Sequence, residues 1–214
     1  MIRALTMAQV AIVVAIVAGL TFTFLPRKLQ TKDGTNLCIA NLNQIGKAVG
    51  MYEEAFDGHI PRGVDFADKE FPESWQGSPL QKQLPHLPVY QRLLRPYVKT
   101  AEVFHCPSDN GFDFIDSAKP DFLPTHPSAF EVYGTSYLML SDLAFIRLHA
   151  PASRVRLLFD ASGLWHGKGE KFTRQPDFSE IAEATKGYRY NVLFADLHAA
   201  NLSRQEFRRS GRWW

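Results

Sequence analysis

The distribution of apolar positions divides the chain into two unequal parts. LTMAQVAIVVAIVAGLTFTFLP, Leu5 to Pro26, has no charged residue between Met7 and Leu25. As a helix this stretch spans about 28 Å, close to the ~30 Å hydrocarbon thickness of a bilayer. It is too long for the core of a cleaved secretory signal, and its best cut site, Val17-Ala18-Gly19, is weak. The pattern therefore predicts a transmembrane helix over 5–31, after a short leader, 1–4. A soluble α+β domain is expected over 32–214.

Beyond the polar break Lys32-Asp33-Gly34 the period changes. Cys38, Leu42, Ile45, Val49, Tyr52 and Phe56 recur at alternating spacings of four and three. This is one apolar stripe along an amphipathic helix, with Asn41, Gln44, Lys47 and Glu54 off the stripe. The helix is expected to end near Asp57-Gly58. Residues 61–88, with five prolines and no sustained period, read as an ordered excursion. A short helix, interrupted near Pro96, is expected over Val89–Val98.

Strand patterns follow. Val103-Phe104-His105 reads as a short strand, Val132–Leu140 as a longer one, and Val155–Asp160 as an apolar strand ending on an acid. Asn191–Leu202 reads as a hairpin turning around Asp196. A long helix followed by a run of strands predicts an α+β fold with the helix packed on an antiparallel sheet.

Composition adds limits. In 214 residues the net charge is +2, too near neutral to favour nucleic acid. Arg204, Arg208, Arg209 and Arg212, among Phe207, Trp213 and Trp214, read as a solvated helix end with aromatic packing. The two cysteines, Cys38 and Cys106, both follow the apolar run and share a compartment; outside the cytoplasm they could pair. Arg3 precedes the span, while Arg27, Lys28 and Lys32 follow it, a count that favours the C-terminal domain inside.

The opening resembles the N-terminus of prepilins and pseudopilins, the subunits of type IV pili and type II secretion pseudopili. Leu5, Thr6, Met7, Ala8 and Gln9 occupy the family's Phe-Thr-Leu-Ile-Glu run, and Pro26 is in register with its proline. CIANLNQIGKAVGMYEEAFDGHIP resembles the next segment of a pseudopilin-like group typical of planctomycetes, with Cys38, Asn41, Leu42, Gln44, Ile45, Gly46, Ala48, Tyr52, Gly58 and Pro61 matching. FHCPSD (104–109), TSYLML (135–140) and VLFADLH (192–198) are similar to later segments of that group.

The resemblance implies a pilin-like α+β fold and a non-catalytic subunit of a type II secretion or type IV pilus-like filament. Its implied partners are other pilin-like subunits, an inner-membrane assembly platform and a prepilin peptidase, with no nucleic acid. It also implies a single-pass inner-membrane protein with its C-terminal domain in the periplasm, against the charge count. Processing would fall between Ala4 and Leu5, and assembly would involve Gln9 and Pro26. A Cys38–Cys106 disulfide is expected because both cysteines lie in the segments that carry the resemblance.

The departures are specific. Ala4 stands where the family has Gly, Leu197 where its hairpin has Gly, and Lys186 where the group has His. Gln9 replaces the family Glu, which points to a minor or initiating subunit, or to a relative that no longer polymerises. The alternative is a membrane-anchored periplasmic domain that binds a ligand or partner without polymerising.

Other chemistry has weaker signals. His105-Cys106 with Asp109, and Asp196 with His198, lack the paired spacing of a zinc site. Asp160, Asp177 and Asp196 could supply oxygens to calcium, as in some pseudopilins, but match no calcium loop. Asp160 and Asp196 could pair for glycoside hydrolysis. Ser136, Ser162 and Ser179 lack a nucleophile-elbow context. Trp75, Trp165, Trp213 and Trp214 could form a sugar platform, though packing roles are commoner. The expectation is therefore no catalytic residue, no metal and no resident cofactor, calcium being the one admitted possibility.

Overall fold

A computed structural model describes residues 34–115, 122–145, 150–172 and 176–210. Helix α1, Gly34–Ala55, is the expected amphipathic helix, and Cys38, Leu42, Ile45, Ala48, Val49 and Tyr52 form its buried side. Phe56 departs from the stripe. The helix stops at Ala55, and the Phe56 ring lies 48% exposed, stacked on Tyr52.

The sheet has four antiparallel strands in the order β1 (Tyr137–Met139), β2 (Arg156–Asp160), β3 (Arg189–Phe194) and β4 (Ala199–Ser203). Tyr137 lies opposite Asp160, Phe159 opposite Val192, and Tyr190 opposite Leu202. Because side chains alternate across a sheet, both faces are apolar here, and each face has its own core. Tyr137, Met139, Leu158 and Leu193 pack with the α1 stripe, while Leu138, Phe159, Tyr190, Val192 and Phe194 pack on the other side. A bulge between Arg156 and Leu158 lets Leu157 join Leu158 on the helix side.

The second face is closed by short elements. Helix α2, Phe66–Glu70, begins at Asp65, whose carboxylate accepts from the amides of Asp68 and Met139 and so ties the excursion to the edge strand β1. Helix α3, Tyr90–Leu94, packs instead on the α1 side, with Tyr90 and Leu94 in that core, and gives way to a 3-10 turn containing Pro96. Helix α4, Ala129–Tyr133, is capped by Ser128, and α5, Phe178–Ala184, by Asp177. Helix α6, Arg204–Arg209, brings Phe207 into the core, 4.1 Å from the Tyr190 ring. The Arg156 guanidinium lies 3.9 Å over Phe207, and burial lowers its pKa to about 10. Arg208 and Arg209 remain exposed.

Three expectations are corrected. The fold is α+β, but no helix among the described residues is long and apolar enough to cross a membrane. Helix α1, with 22 residues, has the length for about 33 Å. Its outer face, however, carries Asn36, Asn43, Gln44, Lys47 and Glu54, all exposed, which a bilayer would not accept. The expected membrane-spanning helix continuing into α1 is therefore not part of the described fold. The expected single-pass inner-membrane placement with a periplasmic domain falls on the same finding. The leader 1–4, the segment 5–31, and Ala4, Leu5, Gln9 and Pro26 lie outside the described residues. The third correction is local. Val103 and Phe104 belong to a 3-10 turn, and the Val132–Leu140 pattern splits into the end of α4 and β1.

Candidate functional site

Segments that carry the family resemblance converge beneath the first turns of α1. Cys38, on the stripe, is disulfide-bonded to Cys106, with Cα atoms 5.0 Å apart and both residues fully buried. Asn41, one turn on, donates to the carbonyl of His105 at 2.7 Å. The Cys106 amide donates to Ser136 Oγ at 2.9 Å, and that hydroxyl donates to Asp109 Oδ2 at 2.7 Å. Asp109 also accepts from the amides of Gly111, Ala129 and Phe130. Its carboxylate is thus occupied by protein donors, which makes it a structural hub.

On the other side of the disulfide lies a buried pair. Strand β2 ends at Asp160, and the chain turns through Gly163–His166 to bring the imidazole back. His166 Nε2 is 3.4 Å from Asp160 Oδ2 and 3.2 Å from Cys106 Sγ. The two side chains are 1% and 0% exposed. The Asn191 amide, on β3, donates to the same Asp160 oxygen. His166 Nδ1 faces Thr35 Oγ1, at the start of α1, at 3.1 Å. Gly163 permits the turn: a Cβ there would stand 2.5 Å from Cζ of the buried Tyr190 ring.

The other candidate side chains fall into separate places. Asp160 faces the protein interior, Asp177 caps α5, and Asp196 sits in the β3–β4 turn bonded to His198, so these three acids form no common calcium site. Asp160 neighbours Asn191, whereas Asp196 follows Phe194 at the far end of β3. The strand alone separates them by roughly 10 Å, beyond the about 5–9.5 Å of glycosidase pairs. His105 stacks on Phe130 away from the cysteine. Ser136 serves Asp109, Ser162 caps the Gly163 turn, and Ser179 bonds Asp177. Trp75 and Trp165 donate to Asp68 and to the Gly111 carbonyl respectively, and make no joint platform. Trp213 and Trp214 lie outside the described residues.

The hairpin departure acquires a physical meaning. Leu197 adopts φ 70°, the left-handed region in which Gly is at ease. Its backbone and side chain lie against Gly46 and Gly50 of α1, where a Cβ would meet Leu197 atoms at 3.2 Å. The missing β-carbons on the helix make room for the turn.

A concave feature lies at the sheet edge. A cavity of about 450 Å³ is lined by residues including Asp68, Trp75, Ser141 and Asp142. Burial raises the pKa of Asp68 and of Asp142, and burial with the nearby Asp68 charge raises that of Asp65 well above the usual carboxylate range. Asp142 Oδ1 is buried without a hydrogen-bond partner.

His166, Thr35 and Asp65 are the site residues that sequence reasoning missed. Asp160 carried a signal, as an acid ending an apolar strand, but nothing in GLWHGKG marked the histidine. Comparison with known proteins yields no match, whether to family models, curated proteins or solved structures.

Proposed function

We propose that this chain is a pilin-like, non-catalytic subunit of a type II secretion or type IV pilus-like filament, in which α1 is the assembly surface. The observation that carries this reading is the way α1 is used. Its inner face is committed to the sheet, and its outer face exposes Leu37 and Met51, 42% and 53% accessible, on the side away from the sheet. These two residues lie about four helical turns apart, so they share one flank. The segment resemblance supports the reading, because Cys38, Asn41, Cys106, Asp109 and Ser136 join in one anchor that fixes α1 to the domain. The full burial of Asp160 supports a non-catalytic role, since its carboxylate is closed to a substrate. Gln9 in place of the family Glu favours a minor or initiating position.

The test is the assembly state of the full chain by native mass spectrometry, alone and with co-expressed pilin-like subunits. Multimers are expected, and Leu37→Glu with Met51→Glu should leave monomers of unchanged thermal stability. A wild-type chain that stays monomeric in both settings would contradict the proposal. The edge cavity with Trp75 and its acids favours a second reading, a binding domain that does not polymerise. That reading predicts the monomer.

A further inference from the structure

Cys38 Sγ, Cys106 Sγ and a His166 ring nitrogen lie within 4.8 Å of one another. Asp160 Oδ2 stands beside the same nitrogen. We propose that, when the disulfide is reduced, the two cysteines and His166 form a tetrahedral site for a soft divalent cation, zinc above all, which Asp160 completes by moving toward the sulfurs. The inference is independent of the filament reading, because it concerns the interior of the domain and not its outer face.

The donor set is the first argument. Two thiolates and an imidazole select zinc over magnesium or calcium, and a carboxylate completes four-coordination. The second is spacing. Ligands bonded at about 2.0–2.3 Å to one tetrahedral ion stand about 3.3–3.7 Å from each other. His166 Nε2 already lies 3.2 Å from Cys106 Sγ and 3.4 Å from Asp160 Oδ2. The two sulfurs must part, from bonding distance to ligand spacing, and Asp160 Oδ2, which lies outside the 4.8 Å cluster of the other three donors, must move in toward them.

The third argument is the support behind the ligands. A metal-bound histidine is normally held by a hydrogen bond from its other nitrogen. Here Thr35 Oγ1 lies 3.1 Å from Nδ1. The hydroxyl can accept from Nδ1–H, which leaves the Nε2 lone pair for the metal. Cys106 is held in turn by the hydrogen bond its backbone N–H donates to Ser136 Oγ. The site would draw ligands from α1, the loop before α4, the end of β2 and the turn after it. A bound ion would therefore clamp helix to sheet where the disulfide does so in the oxidised chain.

The chemistry balances with a phosphine as reductant. Two electrons and two protons convert the S–S bond to two thiols, and the phosphine takes oxygen from water to leave as its oxide. The cation then forms two metal–sulfur bonds, and both thiol protons pass to solvent. Disulfide and metal exclude each other because the same sulfurs serve both.

The full chain, reduced with a water-soluble phosphine and freed of oxygen, is titrated with Co²⁺ alone. One equivalent should bind, with a near-ultraviolet sulfur-to-cobalt charge-transfer band and the intense visible bands of tetrahedral cobalt. Zinc should bleach both, and the oxidised chain should show neither. His166→Ala should abolish the bands, its folding being checked by circular dichroism of the oxidised form. Thr35→Val keeps every ligand and should weaken cobalt binding about tenfold. The proposal is overturned if the reduced chain takes up no cobalt, folded or unfolded, or shows only the weak spectrum of octahedral cobalt. Cobalt affinity unchanged in both variants would overturn it too.

Discussion

Opening the Cys38–Cys106 bond without changing any side chain isolates what the cross-link contributes. The two cysteines are 68 positions apart. In the chain-entropy model, closing a loop of that size removes unfolded-state freedom worth about 4 kcal/mol at 25 °C. For a domain of this size each kcal/mol moves the melting temperature by about 2–4 °C, so reduction should lower it by about 8–16 °C. Both cysteines are fully buried, so reduction is done in denaturant, followed by refolding in phosphine. A chelator must be present throughout, because an ion bound to the folded reduced state would restore stability by mass action. The readout is differential scanning calorimetry of oxidised and reduced chains at matched pH. A reduced, chelated chain that melts within about 2 °C of the oxidised one would refute the loop-closure reasoning.

Leu42→Ala or Ile45→Ala, both at fully buried positions of α1, should each cost about 2–5 kcal/mol in urea denaturation. Phe56→Ala, on a ring 48% exposed, should stay within about 0.5 kcal/mol. Gly163→Ala forces a Cβ to 2.5 Å from the Tyr190 ring and should cost about 1–3 kcal/mol by overpacking, again read in urea. Burial raises the folded-state pKa of Asp142, so the folded chain holds that proton more tightly than the unfolded one. Stability is therefore lost as pH rises from about 4 through the raised value. Asp142→Asn should be more stable than wild type at pH 7, with the difference vanishing by about pH 4. Equal denaturation midpoints at pH 7 would contradict this.

Periodicity made part of this fold legible. The stripe from Cys38 to Tyr52 gave α1 because one buried face must repeat every three or four residues, and β2 and the β3–β4 hairpin showed in the same way. Phe56 fits the spacing but follows the last helical residue, so register alone misled. The Val132–Leu140 alternation hid a helix end. Ser128 as cap and Gly134, at φ 76°, as stop were the signals to weigh against it. Both faces of the sheet are buried, so its strands lack the polar-out alternation that marks a half-exposed sheet. The Asp160–His166 pair depends on a turn that brings the ring back to the strand's end beside Cys106, a contact with no counterpart in sequence spacing. The membrane expectation rested on residues 5–31, whereas the described helix of sufficient length is polar along its outer side.

The central claim, that α1 assembles with other subunits through its outer face, is tested most directly by a photo-crosslinking amino acid placed at Met51 of the full chain in the producing cells. Irradiation followed by mass spectrometry should give a ladder of adducts joining position 51 to a second pilin-like subunit or to another copy of this chain. The same probe at Val132, also exposed and on α4, should give none. Uncrosslinked monomer from both positions, or equal adducts from both, would contradict the account.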